Sequence, residues 1–452
     1  MTEDMQKALD LCESWVEKGR RRGADAIEVY FRKVRALDAR FEKNDLQVPK
    51  GDDYQGVGIR VVRNGRLGFS ATNVLDEQSL QETLQAALEI AAASPADPNL
   101  MLPEPGPAAP TPVEGISDPS GASLTLEDAI RKGQAFLQAA RDFDGRVTLD
   151  SLSFAAEVET RAIASSTGIR AAENRTLFQC AGMGFARDGE DVSSFDMAMA
   201  ASCRLADVRP EELGRDLAQR VVRSLGARTV PSFVGTVVLH PLAAVDLVVG
   251  TLEHAASAES TQNEMSPWKG KLGQTVASTL LTVVDDPRIP GGAGSTAFDR
   301  EGMVPARLEI LRGGVLQSFL HNTYTARKEG LRASNGRAVG TDQGTPGVGV
   351  HNLSIEPGDV PLEAMIRGIR RGLIVNRYSG SADPVSGDFS GVVKGGIYVD
   401  NGAAAYPVKE VMIAGNIYQL LRQVAALSAE VGVYGSYRIP YIQLEDVTVT
   451  GK

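Results

Sequence analysis

The sequence predicts an α+β fold, with an N-terminal α+β domain of meandering antiparallel strands and a strand-rich C-terminal domain with short helices. Three observations predict it. Amphipathic helical segments alternate with runs of alternating apolar and polar residues in the first half. Gly-containing turns separate many apolar runs closely enough for hairpins. The 452 residues suffice for two or three domains, and we place the boundary near 228, giving domains 1–228 and 229–452.

The first half begins with apolar residues at helical spacing over 3–20, which predicts an amphipathic helix. Residues 26–36 and 56–62 have the alternation and β-branched content of strands. Asn64-Gly65 then predicts a hairpin, because both central residues of this turn take positive φ. Further elements predicted in this half are a helix at 76–94, a helix at 125–141, strands between 147 and 203, and a helix at 210–225.

Eight prolines fall between residues 93 and 124, at positions 95, 98, 103, 105, 107, 110, 112 and 119. Proline lacks a backbone N–H and has a fixed φ, so this density excludes a helix or a central strand. We therefore predict an extended connector on the surface, within the N-terminal domain.

The second half begins with a strand at 234–239, followed by a helix from Pro241 to Ala258 with proline in its favoured first turn. The remainder is Gly-rich, and Gly313-Gly314 and Asn401-Gly402 predict hairpins. We also predict short helices at about 321–329, 361–371 and 415–427, and a last strand at 442–450.

The charge balance is acidic, with 47 Lys and Arg against 57 Asp and Glu and a net charge of -10. Nucleic-acid-binding proteins usually carry a basic surface, so we expect no nucleic-acid partner. Three cysteines far apart in sequence indicate free thiols in a reducing compartment. An acidic start without an apolar segment predicts no signal peptide, and the most apolar stretch is too polar for a membrane span. We expect a cytoplasmic protein.

Local catalytic motifs are missing from the sequence. There is no GxSxG, Walker A or GxGxxG motif, and only four histidines occur. His254 follows Glu253 on a predicted helix, but Gly250 and Ala258 occupy the positions four residues away, so no second zinc ligand accompanies it. Asp285-Asp286 before a proline is typical of a turn. The residues by themselves predict no complete active site.

An ordered series of segments carries more information. The segments are GVGIRV at 56–61, GF at 68–69, DPRIPGGAGS at 286–295, FDREG at 298–302, TYTARK at 323–328, DPVSGDFS at 383–390, YPVKE at 406–410 and IAGN at 413–416. Together these segments resemble the TldD/PmbA family of cytosolic peptidases, and the resemblance covers nearly the whole chain.

The resemblance implies a heterodimer of two related subunits. In this family the TldD type carries zinc through a HExxxH helix and a cysteine near the C-terminus, whereas the PmbA type, also called TldE, lacks these ligands. The matching helix of this chain, from Leu242 to Ala258, has no HExxxH. Tyr434, in Gly-Val-Tyr-Gly, stands where the cysteine would be. The chain thus resembles the non-catalytic subunit, with no cofactor or catalytic residue of its own and zinc in a TldD-like partner.

The resemblance also implies that an unfolded or linear peptide binds as an extended strand between subunits. Two Gly-containing segments have the composition of exposed, shaped loops, although ordinary turns would look the same. We take from them six candidate substrate-binding residues: Asp383, Pro384, Ser386, Gly387, Phe389 and Gly292.

Two alternatives stay open from the sequence. The chain could be a stand-alone homodimeric peptide-binding or regulatory protein with no hydrolase activity. It could instead be an independent hydrolase whose site is assembled in space, using Glu253, His254 or Tyr434. The sequence does not determine the physiological peptide, the cleavage preference, the identity of the partner, or whether the chain homodimerises without it.

Overall fold

The structure is a computed structural model that describes residues 2–452. Its first half is an eight-stranded antiparallel sheet with four main helices. The elements, in chain order, are α1 (Glu3–Arg21), β1 (Ala26–Glu42), β2 (Asp45–Leu46), β3 (Lys50–Arg63), β4 (Arg66–Thr72), α2 (Glu77–Ala93), α3 (Ser120–Ser123), α4 (Leu126–Phe143), β5 (Val147–Ser165), β6 (Arg170–Asp188), β7 (Asp191–Val192), β8 (Asp196–Ser202) and α5 (Pro210–Arg223).

The second half is built on a 13-stranded mixed sheet and a small two-stranded one. Its elements are β9 (Phe233–Leu239), α6 (Pro241–Ala244), a π-helical turn (Val245–Val249), α7 (Gly250–Ala256), α8 (Ala258–Gln262), β10 (Val283–Asp285), β11 (Leu308–Arg312), β12 (Val315–Leu316), α9 (Thr323–Lys328), β13 (Ala338–Val339), β14 (Gly347–Val348), β15 (Leu353–Ile355), α10 (Leu362–Arg367), β16 (Arg371–Val375), β17 (Arg377–Ala382), β18 (Asp388–Lys394), β19 (Ile397–Asp400), β20 (Ala403–Pro407), β21 (Met412–Asn416), α11 (Ile417–Leu420), β22 (Val424–Tyr434) and β23 (Tyr437–Thr450).

The predicted α+β class is confirmed, and so are the hairpin turns. Asn64 and Gly65 take φ values of 52° and 67° between β3 and β4, and Asn401 and Gly402 take 46° and 82° between β19 and β20. The strands are longer than predicted. β1 continues to Glu42, because polar residues beyond residue 36 still pair with β3 and β5 on either side.

The predicted helix at 415–427 is wrong over most of its length. Helix α11 covers only Ile417–Leu420, and strand β22 begins at Val424. Val424 and Leu427 are buried against the neighbouring strand β23. Strand pairing and burial therefore override the helical spacing of this short apolar segment, as is common for β-structure.

The connector at 93–124 has little regular structure, apart from the four-residue helix α3. It does not lie entirely on the surface, since Leu102, Val113 and Ile116 are all buried. The last two pack with Phe298 of the second half. Part of the connector is therefore buried in contact with the second half, which the proline content alone does not reveal. The domain boundary near residue 228 stays a prediction.

Strand alternation divides the first sheet into two different faces. Ile27 and Val29 of β1 pack against α1 and α2 on one face. Glu28 and Tyr30, which alternate with them, lie on the other face and contact the second half of the chain. The same sheet therefore supports a helical layer on one side and a junction with the second half on the other.

The junction contains a network of buried charges. Arg60 of β3 donates to Glu28 at 2.5 Å and to Glu301 at 2.9 Å, and Arg300 donates to Glu28 at 2.9 Å. All four side chains are almost fully buried. Burial alone would raise the pKa of Glu28, but the two guanidinium groups lower it. The FDREG segment thus supplies two of the charges that join the halves.

A separate buried ion pair, within the second half, contains Asp285, which the sequence indicated as a turn residue. Asp285 is instead fully buried at the end of β10 and paired with Arg337. Its Oδ1 accepts hydrogen bonds from the backbone N–H groups of His351 and Asn352. Only its neighbour Asp286 has the predicted role, accepting from the Arg288 N–H at 2.9 Å.

Candidate functional site

The helix that follows β9 is not a continuous α-helix. His240 begins it by accepting a hydrogen bond from the Leu242 N–H through Nδ1 at 3.1 Å. A π-helical turn at Val245–Val249 follows, and the helix ends at Ala256, with Ser257 capping a separate short helix. The predicted single helix to Ala258 is therefore wrong at its end. π turns are rare and often lie at functional sites.

His254, at the C-terminal end of this helix, has both ring nitrogens in contact with other groups. Its Nε2 lies 3.0 Å from the Met265 carbonyl oxygen, and its Nδ1 lies 3.3 Å from Ser260 Oγ. Glu253 faces the Tyr437 hydroxyl, and burial raises the pKa of this carboxyl group. Its Oε1 has no hydrogen-bond partner among residues 2–452, but no second histidine lies beside it.

Tyr434 lies at the other end of the same helix. Its ring centroid is 6.1 Å from that of His240, which also packs edge-on against Tyr441 at 5.0 Å. Burial raises the pKa of Tyr434 to about 12 and lowers that of His240 to about 3, so both are uncharged at neutral pH. Since His240 and Glu253 are separated by about 20 Å of helix, Tyr434 is not brought together with Glu253 and His254.

Zinc does not fit this helix. Zinc requires three or four nitrogen, sulfur or carboxylate ligands around one point. Among residues 2–452, no three His, Cys, Asp or Glu side chains form such a group. A zinc-bound Tyr434 would have to be ionised, which its buried aromatic surroundings oppose. The same separation also leaves Glu253, His254 and Tyr434 without the shared geometry of a hydrolase site.

A cavity of about 320 Å³ lies where the two sheets approach each other. One wall is formed by Ala200–Ser202 of β8 and another by the hairpin that joins β22 to β23. Where they meet the cavity, both β8 and β22 are edge strands among the described residues. Gly292, one of the predicted substrate-binding residues, lies in the third wall with Ile289–Ala293.

The residues that line this cavity have mostly small, uncharged side chains. Asp207 and Arg438 are its charged residues, and Ser202 donates to the Asp207 carboxylate at 2.9 Å. An extended peptide could use the free backbone groups of the two strand edges, which is how β-strand addition binds peptides without reading many side chains. Strands were predicted between 147 and 203, but neither β8 nor Arg438 was predicted to line a site, because alanines at a strand edge have no distinctive pattern.

The other predicted substrate-binding residues lie in the hairpin between β17 and β18 and do not line this cavity. Asp383 Oδ1 accepts from the Val385 N–H at 2.8 Å, and Gly387 has the positive φ that closes the turn. Tyr418 donates its hydroxyl to the Pro384 carbonyl at 2.5 Å. The Phe389 side chain is buried in the core, whereas Ser386 remains exposed. The hairpin therefore offers an ordered, largely polar tip.

Nearly the whole chain matches profiles of one protein family. Residues 27–91 match PmbA/TldA metallopeptidase domain 1, residues 119–225 match the central domain, and residues 234–451 match the C-terminal domain. No helix within residues 2–452 has both the length and the apolar character required to cross a bilayer.

Individual relatives agree with the profiles. The chain is 26% identical to "Metalloprotease PmbA" of Escherichia coli over 95% of this chain and 93% of that protein. It is 31% identical to a "Metalloprotease" of Methanothermobacter thermautotrophicus over 85% of this chain and 84% of that protein. The crystal structure of TldE from Thermococcus kodakarensis, at 23% identity, has the same fold, with a TM-score of 0.90 over 98% of this chain and all of that one. The chain therefore belongs to the PmbA/TldD metallopeptidase family.

Proposed function

We propose that this chain is the non-catalytic, PmbA/TldE-like subunit of a heterodimeric zinc metallopeptidase in the cytoplasm. The observation that carries the proposal is the helix from His240 to Ala256, in which His254 contacts the Met265 carbonyl and Ser260 and no second histidine lies beside it to complete a zinc site. Zinc and the activated water would come from a TldD-like partner. In that partner a bound zinc ion would polarise the scissile carbonyl.

The role of this chain would be to hold and enclose the substrate. The cavity between β8 and the β22–β23 hairpin supports this role, because two unpaired strand edges can bind an extended chain through its backbone. Folded domains have no free strand of this kind, so the substrate class would be unfolded or linear peptides. Gly292 lines this cavity and is a candidate contact for the peptide, and the Asp383–Phe389 hairpin is a second, separate candidate contact.

The first experiment measures zinc content, mass in solution and hydrolysis of an unstructured peptide. These are compared for the purified chain, for a TldD-like protein that carries HExxxH, and for their mixture. We expect zinc and hydrolysis in the mixture and neither in this chain alone. Stoichiometric zinc in this chain, or hydrolysis by it alone, would contradict the proposal. Peptide binding by a homodimer that never activates a partner would support the stand-alone binding protein instead.

A second experiment tests the cavity. Ala200→Trp fills it from the β8 side, and Ala404→Trp on the exposed strand β20 is the matched control. With the partner present, we expect the first variant to raise KM for the peptide by about tenfold and the control to leave it unchanged. Equal kinetics for both variants, with both complexes intact, would place the substrate elsewhere.

A further inference from the structure

The proline-rich connector covers a second cavity, of about 670 Å³, far larger than the one beside the β22–β23 hairpin. Residues Met101–Pro107 form one side, and helix α9 with the loop after it forms the other. A volume of this size lies within the range of small-molecule sites, which are mainly apolar with a few placed polar groups.

The connector side of this cavity is apolar and held in place. Leu102 and Pro103 are buried, and Thr167 donates its hydroxyl to the Pro103 carbonyl at 2.5 Å. Met303 adds a further apolar surface. Because proline restricts the backbone, this wall loses little additional freedom when a ligand binds.

The opposite side carries the polar groups. Arg327 and Arg332 are exposed residues in the cavity lining, and neither makes an ion pair or a side-chain hydrogen bond with any residue between 2 and 452. Thr323, only 6% exposed, has a buried hydroxyl with no hydrogen-bond partner in the part of the chain described. A buried hydroxyl without a partner carries a desolvation cost that a ligand acceptor would remove. Glu104, on the connector, is the one carboxylate in the lining.

We propose that this cavity binds a small organic anion whose carboxylate or phosphate contacts Arg327, Arg332 and the Thr323 hydroxyl. Its apolar body packs against the connector prolines, Leu102 and Met303. Guanidinium groups suit oxyanions because they offer several N–H donors in one plane. The two arginines outweigh Glu104 in charge, so the site favours an anion over a cation. This site is independent of the proposed peptidase role.

The test uses the full chain and calorimetric titration with phenyl phosphate, benzoate, inorganic phosphate and neutral benzyl alcohol. We expect phenyl phosphate or benzoate to bind more tightly than both inorganic phosphate, which lacks the apolar body, and benzyl alcohol, which lacks the charge. Tighter phenyl phosphate than benzoate would identify a phosphate site, and the reverse would identify a carboxylate site. No binding of either at roughly 10 mM would overturn the proposal, as would equal binding of benzyl alcohol.

Variants distinguish a specific anion-binding site from non-specific electrostatic attraction of anions. The double variant Arg327→Gln with Arg332→Gln is expected to weaken binding by at least about tenfold, since it removes charge-assisted hydrogen bonds. Arg22→Gln with Arg215→Gln removes the same charge from exposed positions elsewhere and is expected to leave affinity unchanged. Thr323→Val tests the hydroxyl and should weaken binding a few-fold. Equal weakening by both double variants would overturn the proposal.

Discussion

The junction between the two halves and the cavity beside the β22–β23 hairpin use opposite chemistry. The junction buries Glu28, Arg60, Arg300 and Glu301 in direct ion pairs. The cavity is lined mainly by glycine, alanine and other small residues. The charged FDREG segment, although part of the family pattern, therefore joins the two halves, whereas the proposed substrate surface combines part of the DPRIPGGAGS segment with backbone groups at two strand edges.

The largest expected effect comes from breaking the junction. Arg60→Met removes the partner of two buried carboxylates, and we expect a loss of about 3–5 kcal/mol in the free energy of unfolding, measured in urea. Arg131→Met is the control, because its pairs with Glu127 and Asp128 are exposed and should matter by less than about 0.5 kcal/mol. Similar losses for both variants would mean that burial of the junction charges is unimportant.

The buried His351, beside Asp285, makes stability depend on pH. Burial lowers the pKa of His351 to about 4, although Asp285 opposes the shift, whereas an unfolded histidine titrates near pH 6.5. Between these values the unfolded chain binds a proton and the folded chain does not, so stability is complete above pH 6.5 and falls toward pH 4. We expect His351→Gln to flatten this dependence by up to about 3 kcal/mol between pH 7 and pH 4.

The measurement is the free energy of unfolding in urea at several pH values. Wild type and His351→Gln should differ in slope below pH 6.5 and run parallel above it. An unchanged slope in the variant would show that His351 is protonated equally in the folded and unfolded chains.

On the cavity side, His240 caps the helix and packs in an aromatic cluster rather than among charges. His240→Ala should cost about 1–2 kcal/mol, because the Leu242 N–H loses its acceptor and the rings lose a neighbour. His240→Asn keeps a capping acceptor and should recover part of the loss. Thermal unfolding followed by circular dichroism measures both, and identical losses would show that the cap contributes nothing.

The smallest expected effect is at the Asp383–Phe389 hairpin. Tyr418→Phe removes the hydrogen bond to the Pro384 carbonyl and should cost about 1 kcal/mol or less. Faster amide hydrogen exchange confined to the hairpin would be the local signature, with the junction strands unaffected. Exchange that accelerates equally throughout the chain would indicate that this turn is coupled to the whole fold.

Much of the fold could be predicted because local signals and tertiary structure agree. The Asn64-Gly65 and Asn401-Gly402 turns require positive φ, and no neighbouring element competes with them. The helix prediction at 415–427 was wrong because pairing and burial against strand β23 determine the conformation of this segment, and a local sequence pattern does not show that pairing. The prediction that Asp285 is a turn residue was wrong for a related reason, since its ion-pair partner Arg337 lies far along the chain.

The candidate site was less predictable than the fold. The sequence identified the helix after Pro241 and the absence of its zinc ligands, and it identified Gly292. It did not identify the edges of β8 and β22, because exposure of a strand edge depends on which strands are absent beside it. Nor could it show that Tyr434 lies beside His240 while Tyr437, its partner across the hairpin, faces Glu253, since these contacts are set by three-dimensional packing.

The π turn at Val245–Val249 has a consequence for protein engineering. One extra residue in a helix rotates everything that follows by about 100° around the axis. Histidines transplanted at positions copied from a continuous helix would therefore point in different directions on the two sides of this turn. New metal ligands placed in this helix would therefore have to be chosen for the geometry of the π turn, which brings residues five apart onto one side of the helix.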